Sequence, residues 1–228
     1  MGEGEGLYLL FISYYVYTVN VINRSYVKGE RMSRQPDPDL EDRILDAARR
    51  LWKKGAGKAL TMRAVALAAH TNTPAVYRRF HHREDILRAL LERTRHEIFQ
   101  QLQAGRTVEE ACERYVDFAL SHSHEYELYY AHEYDLIFAA KRPRGVSLNQ
   151  VFKAGRPAVE LMKGKLAAQL GGSPDDYARI TLAVWALLHG TVMLLIAKTV
   201  HPEHSAEMRL VCRESVKTLL REAGRSRA

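Results

Sequence analysis

The nine residues Asn72 to Phe80 (NTPAVYRRF) carry the groups that a helix seated in a DNA groove requires. Thr73, Pro74 and Ala75 are small and lead the segment, so its backbone can come close to base edges. Arg78 and Arg79 offer guanidinium groups to guanine edges or phosphates, and Tyr77 adds a hydroxyl. Val76 and Phe80 fall on the other side and are expected to face inward. Upstream, Thr61 stands at the start of another short helix and Arg63 lies early in it, within reach of the same groove. The candidate DNA contacts are therefore Thr61, Arg63, Thr73, Pro74, Ala75, Tyr77, Arg78 and Arg79.

Short capped helices have to position these groups. Thr61 is the expected N-cap of a helix from Met62 to Ala68, with Val65, Ala66 and Ala69 on its apolar side. After a tight turn at His70 and Thr71, Asn72 caps the next helix, whose first turn tolerates Pro74. Two short helices joined so briefly form a helix-turn-helix. A preceding helix is signalled near Pro38 by Asp37 and Asp39. Ile44, Leu45, Ala48, Leu51 and Trp52 recur along it at helical spacing, and Lys53-Lys54-Gly55 end it. A fourth helix begins near His82 or Arg83, carries Ile86, Leu87, Leu90 and Leu91 on its apolar side, and runs to about Leu102. Beyond Val108 apolar residues recur at three and four, with breaks at Gly105, Pro143 to Gly145, Gly171 to Pro174 and His201-Pro202. The expected fold is all-α: an N-terminal three-helix bundle with the helix-turn-helix over residues 32–83, then a larger helical ligand-binding and dimerisation domain over 84–228.

The 228-residue chain is 46% hydrophobic and 27% charged, the balance of an ordinary globular protein. Its formal charge is +7, and the excess is local. Met32 to His96 holds 14 Lys and Arg against 8 Asp and Glu, whereas Glu97 to Ala228 holds 17 against 16. Such a segment suits a polyanion, although a solvated charged face would have the same composition. The two cysteines, Cys112 and Cys212, lack metal or redox spacing and read as reduced, packed thiols.

Residues 7–22 (LYLLFISYYVYTVNVI) contain no charge. The run is shorter than the ~20 residues of a spanning helix, and no cationic stretch precedes it, which argues against both a span and a signal peptide. Its β-branched and aromatic content would suit a strand. Lys28-Gly29-Glu30 is what a purine-rich ribosome-binding sequence would encode, so translation from Met32 is the expectation and residues 1–31 stand as an extension. Membrane tethering through residues 7–22 is the alternative.

The run from Ile44 to Leu87 (ILDAARRLWKKGAGKALTMRAVALAAHTNTPAVYRRFHHREDIL) resembles the N-terminal domain of the TetR family of transcriptional regulators. Its pattern is matched by Thr61, Val65-Ala66, the small turn, Tyr77-Arg78-Arg79-Phe80, and Arg83-Glu84 with Ile86-Leu87. The resemblance implies that Arg83, where a Lys is usual, grips a DNA phosphate. It also places a Gly where this chain has His70, a residue that tolerates the left-handed conformation better than most. Two later stretches, Tyr115 to Leu120 with His122 and Tyr126, and Val184 to Gly190, resemble a regulatory-domain subgroup marked by Trp…His-Gly, with Ser123 in place of an expected Pro. Such domains enclose a small-molecule pocket and dimerise through their last two helices.

The candidate ligand-binding residues are Phe118, His122, Tyr126, Tyr129, Trp185 and His189. Tyr126 and Tyr129, with Tyr130, Tyr134, Phe118 and Trp185, supply aromatic surface and hydroxyls for such a pocket, and core packing would use the same residues. His189 lies one helical turn after Trp185 and shares its face. The near-neutral, Tyr-rich C-terminal part points to an uncharged or mostly hydrophobic effector. His122, His124, His132 and His201 to His204 lack metal-ligand spacing despite Glu125, Glu133 and Asp135 nearby, so no metal or cofactor is expected. No nucleophile elbow, phosphate loop or paired carboxylate motif supports catalysis, so an enzyme fused to the helix-turn-helix is disfavoured. The sequence thus predicts a cytoplasmic, homodimeric, ligand-responsive regulator, a repressor that binds a double-stranded DNA operator. Its dimer face is expected along Ile180, Val184, Leu188, Val192 and Leu195, with Val211, Val216, Leu219 and Leu220.

Overall fold

The computed structural model describes residues 37–55, 58–137 and 157–225, and the side chains of all of these but 133–137. The run 7–22, Met32 and the break at Pro143 to Gly145 lie outside the described residues. The described residues from Asp39 onward form one compact unit. All regular structure among the described residues is helical.

Local chemistry explains each boundary near the candidate site. Helix α1 spans Leu40–Gly55, with Glu41 and Asp42 in its first turn and Lys53 and Lys54 in its last, each matched to the helix dipole. Helix α2 is Met62–Ala68, and the Thr61 hydroxyl accepts from the Ala64 N–H at 3.1 Å. Helix α3 is Thr73–Arg79, and the Asn72 side-chain oxygen accepts from the Ala75 N–H at 2.8 Å. Between them His70 takes φ +52, the left-handed geometry that non-glycine residues seldom adopt. The Thr71 N–H then closes the turn on the Ala66 carbonyl at 2.9 Å. Helix α4, Arg83–Ala104, opens with the His82 N–H donating to the Asp85 carboxylate at 2.9 Å.

The chain continues as α5 (Val108–Ser121), α6 (Ser123–Ile137), α7 (Pro157–Leu170), a 3-10 turn (Pro174–Tyr177), α8 (Ala178–Ile196), a second 3-10 turn (Pro202–His204) and α9 (Ser205–Arg225). Gly105 joins α4 to α5 because a Cβ there would overlap the backbone of Ala111. Lys163 of α7 is buried and reaches Glu160 at 2.9 Å and Asp175 at 2.7 Å, which ties α7 to the first 3-10 turn.

Two apolar clusters fill the unit. One gathers Ile44, Ala48, Leu60, Val65, Val76, Phe80, Ile86 and Leu90 around the helix-turn-helix. The other begins at Leu91 and continues through α5 to α9. Helix α4 serves both, and Trp52 of α1 packs against both.

The outward face of α8 differs from the expectation. Val184, Leu188 and Val192 are buried within the chain, as are Val216 and Leu220 of α9. Leu194, Leu210 and Val211 are the large apolar residues left exposed on these two helices. Helix α8 is apolar on nearly every side, so apolar character alone does not set which side turns inward, and the buried seam is Thr181, Val184, Leu188, Thr191 and Val192. At Gly190 an added Cβ would meet nothing of the described residues within 4 Å beyond its own stretch of helix, so no other helix makes a close approach there.

Candidate nucleic-acid interface and effector site

Helices α2 and α3 present Arg63, Pro74, Tyr77 and Arg78 to solvent, while Thr73 and Arg79 are half-buried at the margin. Ala75 corrects the sequence reading: it is 4% exposed and belongs to the core beside Val76. Thr61 is exposed, yet its hydroxyl is occupied by the cap. The Arg83 Nε donates to the Leu60 carbonyl at 2.9 Å, so this side chain also pins the start of α4 to the loop before α2. Arg50 of α1 donates to the Ala68 carbonyl at 3.1 Å and fixes the end of α2.

Leu67 was not among the predicted contacts. It is 79% exposed, the largest value of any big apolar side chain in the described residues. Its signal in the sequence is its position off the Val65, Ala66, Ala69 stripe, where an apolar residue has nothing of its own chain to cover it. On this face it suits a thymine methyl or the sugar edge.

The effector candidates fall into two groups. Tyr126, Tyr129, Trp185 and His189 come together with Tyr130 and Tyr115. The Tyr115 hydroxyl meets those of Tyr126 at 2.7 Å and Tyr130 at 2.8 Å, and Tyr126 bonds His189 Nδ1 at 2.8 Å. The Trp185 indole N–H donates to the Tyr130 hydroxyl at 3.3 Å, and the indole stacks on His189 at 5.4 Å. Tyr129 packs edge-on to Tyr130 at 4.9 Å. Phe118 and His122 instead stack on each other at 4.4 Å. Tyr115 was missed as a site residue because it pairs across eleven residues, from α5 to α6, and no local spacing marks that.

Burial raises the Tyr115 phenol well above its ordinary range, so it stays a neutral donor. Burial holds the His189 imidazole below its usual value, which favours the neutral ring beside the Tyr126 hydroxyl. Cys112 and Cys212 are both buried, and desolvation, followed by the neighbouring Cys212, pushes the Cys112 thiol up to about 12.

A chain of ion pairs joins this region to the helix-turn-helix. Glu125, next to Tyr126 on α6, is 5% exposed, and its carboxylate lies 3.0 Å from Lys53 and 3.5 Å from Arg49, both on α1. Arg49 also grips both oxygens of Glu97 on α4 at 2.8 and 2.7 Å. Arg93 of α4 reaches Asp46 of α1 at 2.8 Å. Neither oxygen of Glu125 accepts an aligned hydrogen bond, so charge alone holds it there.

A capped two-helix reader on one core, joined by α4 to a larger helical body with an internal aromatic cluster, defines a DNA-binding regulator of the helix-turn-helix class. Residues 44–90 match the family described as bacterial regulatory proteins, tetR family, and residues 108–214 match the tetracyclin repressor-like C-terminal domain. Together the two matches span most of the chain, which belongs to the TetR family of DNA-binding transcription regulators. A protein with unknown function from Rhodococcus sp. RHA1 shares the fold with a TM-score of 0.62 at 22% identity, over 83% of this chain and 98% of its own. A TetR-family transcriptional regulator from Streptomyces coelicolor aligns at 0.50 and 24% identity, over 81% and 99%. A TetR variant from Acinetobacter baumannii AYE in complex with minocycline aligns at 0.52 and 19%, over 81% and 96%. No curated protein matches the chain.

Proposed function

We propose that this regulator is a cytoplasmic homodimer that represses transcription from a two-fold operator and lets go when an uncharged or mostly hydrophobic small molecule enters the Tyr115, Tyr126, Tyr130, Trp185, His189 cluster. The outward set Arg63, Pro74, Tyr77 and Arg78 on α2 and α3, with Thr73 at its margin, is the observation that carries the DNA reading. The mutual bonding of five polar aromatic groups supports the effector reading, because a ligand with one hydrogen-bonding group can exchange for any of those bonds. One structural relative holds minocycline, so the fold accepts a small organic molecule. The Trp185, His189, Gly190 series also supports placement in the Trp…His-Gly subgroup.

Release is proposed to pass through Glu125. A ligand that displaces Tyr126 moves its neighbour on α6, and the carboxylate then leaves Lys53 and Arg49 of α1. The exposed side of α8 and α9, with Leu194, Leu210 and Val211, is proposed as the seat of a second copy. Pro174–Ile196 is long and apolar enough to cross a membrane by length and composition; in this reading a partner helix covers that surface instead. Genome-wide mapping of binding sites tests the function. Enriched sites are expected to share an inverted repeat with half-sites about one DNA turn or a multiple apart, and Arg78→Ala is expected to lose them. Enrichment without a repeat, or unaltered in that variant, would overturn the reading.

A further inference from the structure

We propose a second ligand site in the cleft between α1 and α6, suited to an aromatic carboxylate. The cleft has a volume of about 410 Å3, within the ~300–1,000 Å3 of small-molecule sites. Trp52, Leu128 and Ala131 supply apolar wall, and Lys53 and Lys54 supply positive charge, with the His124 ring beside them, against one lining acid, Glu127. Lys53 is held by Glu125 beneath, whereas Lys54 and His124 stand exposed where an anion can reach them. A flat ring against Trp52 and Leu128 with its carboxylate toward Lys54 uses both halves of this lining.

The site is separate from the aromatic cluster. At 100° per residue, α6 directs His124, Leu128 and Ala131 to one side and Tyr126 and Tyr130 to nearly the opposite side. A molecule in the cleft touches α1 of the DNA-reading core and α6 of the regulatory body at once. It therefore favours one spacing of the two helices and acts directly on the Glu125 contacts, without entering the cluster. A second effector of different polarity gains access to the same DNA-binding unit.

Calorimetric titration of the full-length protein with 2-naphthoate and its uncharged amide, 2-naphthamide, tests the site. The acid is expected to bind about tenfold more tightly than the amide, as one charge-assisted contact provides. Lys54→Glu should erase that preference, and Ala131→Trp, which fills the cleft, should remove binding of both. Lys54 and Ala131 are exposed, so both variants are expected to keep the native melting temperature, which reports folding independently. Trp185→Phe and Tyr126→Phe should leave the affinity for the acid unchanged. Equal affinity for acid and amide, no binding at millimolar ligand, or unaltered binding in Lys54→Glu and Ala131→Trp would each overturn the proposal; loss in the Tyr126 variant would move the ligand to the aromatic cluster.

Discussion

Replacing Glu125 by Gln should be cheap for stability and costly for communication between α6 and α1. Removing one partner of a buried ion pair costs about 3–5 kcal/mol when it leaves an unpaired charge behind. Here it does not. The Lys53 side chain is 42% exposed and rehydrates, and Arg49 keeps both oxygens of Glu97. The lost attraction is then of the exposed kind, about 1 kcal/mol, and is offset by no longer desolvating a carboxylate that accepts no aligned hydrogen bond. The net change is expected within about 1 kcal/mol of zero. Arg49→Leu strips the cation from Glu97 as well as from Glu125, and should cost about 2–3 kcal/mol. Urea denaturation of both single variants and the double variant, at one protomer concentration, gives these values and their coupling. A loss of 3 kcal/mol or more for Glu125→Gln would refute the reasoning, since the carboxylate would then be a main strut and not a displaceable link.

Further outcomes are expected elsewhere in the fold. His70→Val should lower stability by about 1–2 kcal/mol, because a β-branched residue resists the left-handed turn, while His70→Gly should be neutral or stabilising in the same thermal melts. The folded state binds a proton at His189 less readily than the unfolded state, so the contribution of this residue is complete above about pH 6.5 and is lost as pH falls from there through the lower value of the folded state. His189→Gln should flatten the fall in melting temperature between about pH 7 and pH 5, and an unchanged slope would exclude this residue as its source. Leu194→Asp with Val211→Asp should yield folded monomers by light scattering, whereas Leu188→Asp should unfold the chain; a dimer mass in the first variant would discredit the assigned face.

The helix-turn-helix was legible because its signals are local. Thr61 and Asn72 bond donors three residues ahead, and His70 sits in a turn of two residues, so neighbouring letters determine the geometry. The orientation of α3 was less legible. Seven residues make two turns, too few for periodicity to fix its phase, and a small residue such as Ala75 suits a groove or a core equally. Helix α8 raised the converse difficulty: apolar almost all round, it allowed Leu188 to be read as part of an outward face, whereas packing against α5 and α9 buries it and leaves Leu194 exposed. Glu125 sat in a polar run of His and Glu that suggested surface, and only the approach of α1 to α6 makes it a buried link.

The burial of the two thiols has a practical side. A thiol held at about 12 is almost wholly protonated at neutral pH, and alkylating agents, peroxides and disulfide reagents act on thiolates. Cys112 lies behind α5 and Cys212 behind α9, and these are the whole cysteine complement of the chain. Cys112 is therefore expected to be slow to react in the folded protein, and burial shields Cys212. A single substitution such as Arg78→Cys would carry the one reactive sulfur, ready for a spin label or fluorophore. Paired across two copies, such labels would report the separation of the two reading helices directly, with neither native cysteine having to be removed.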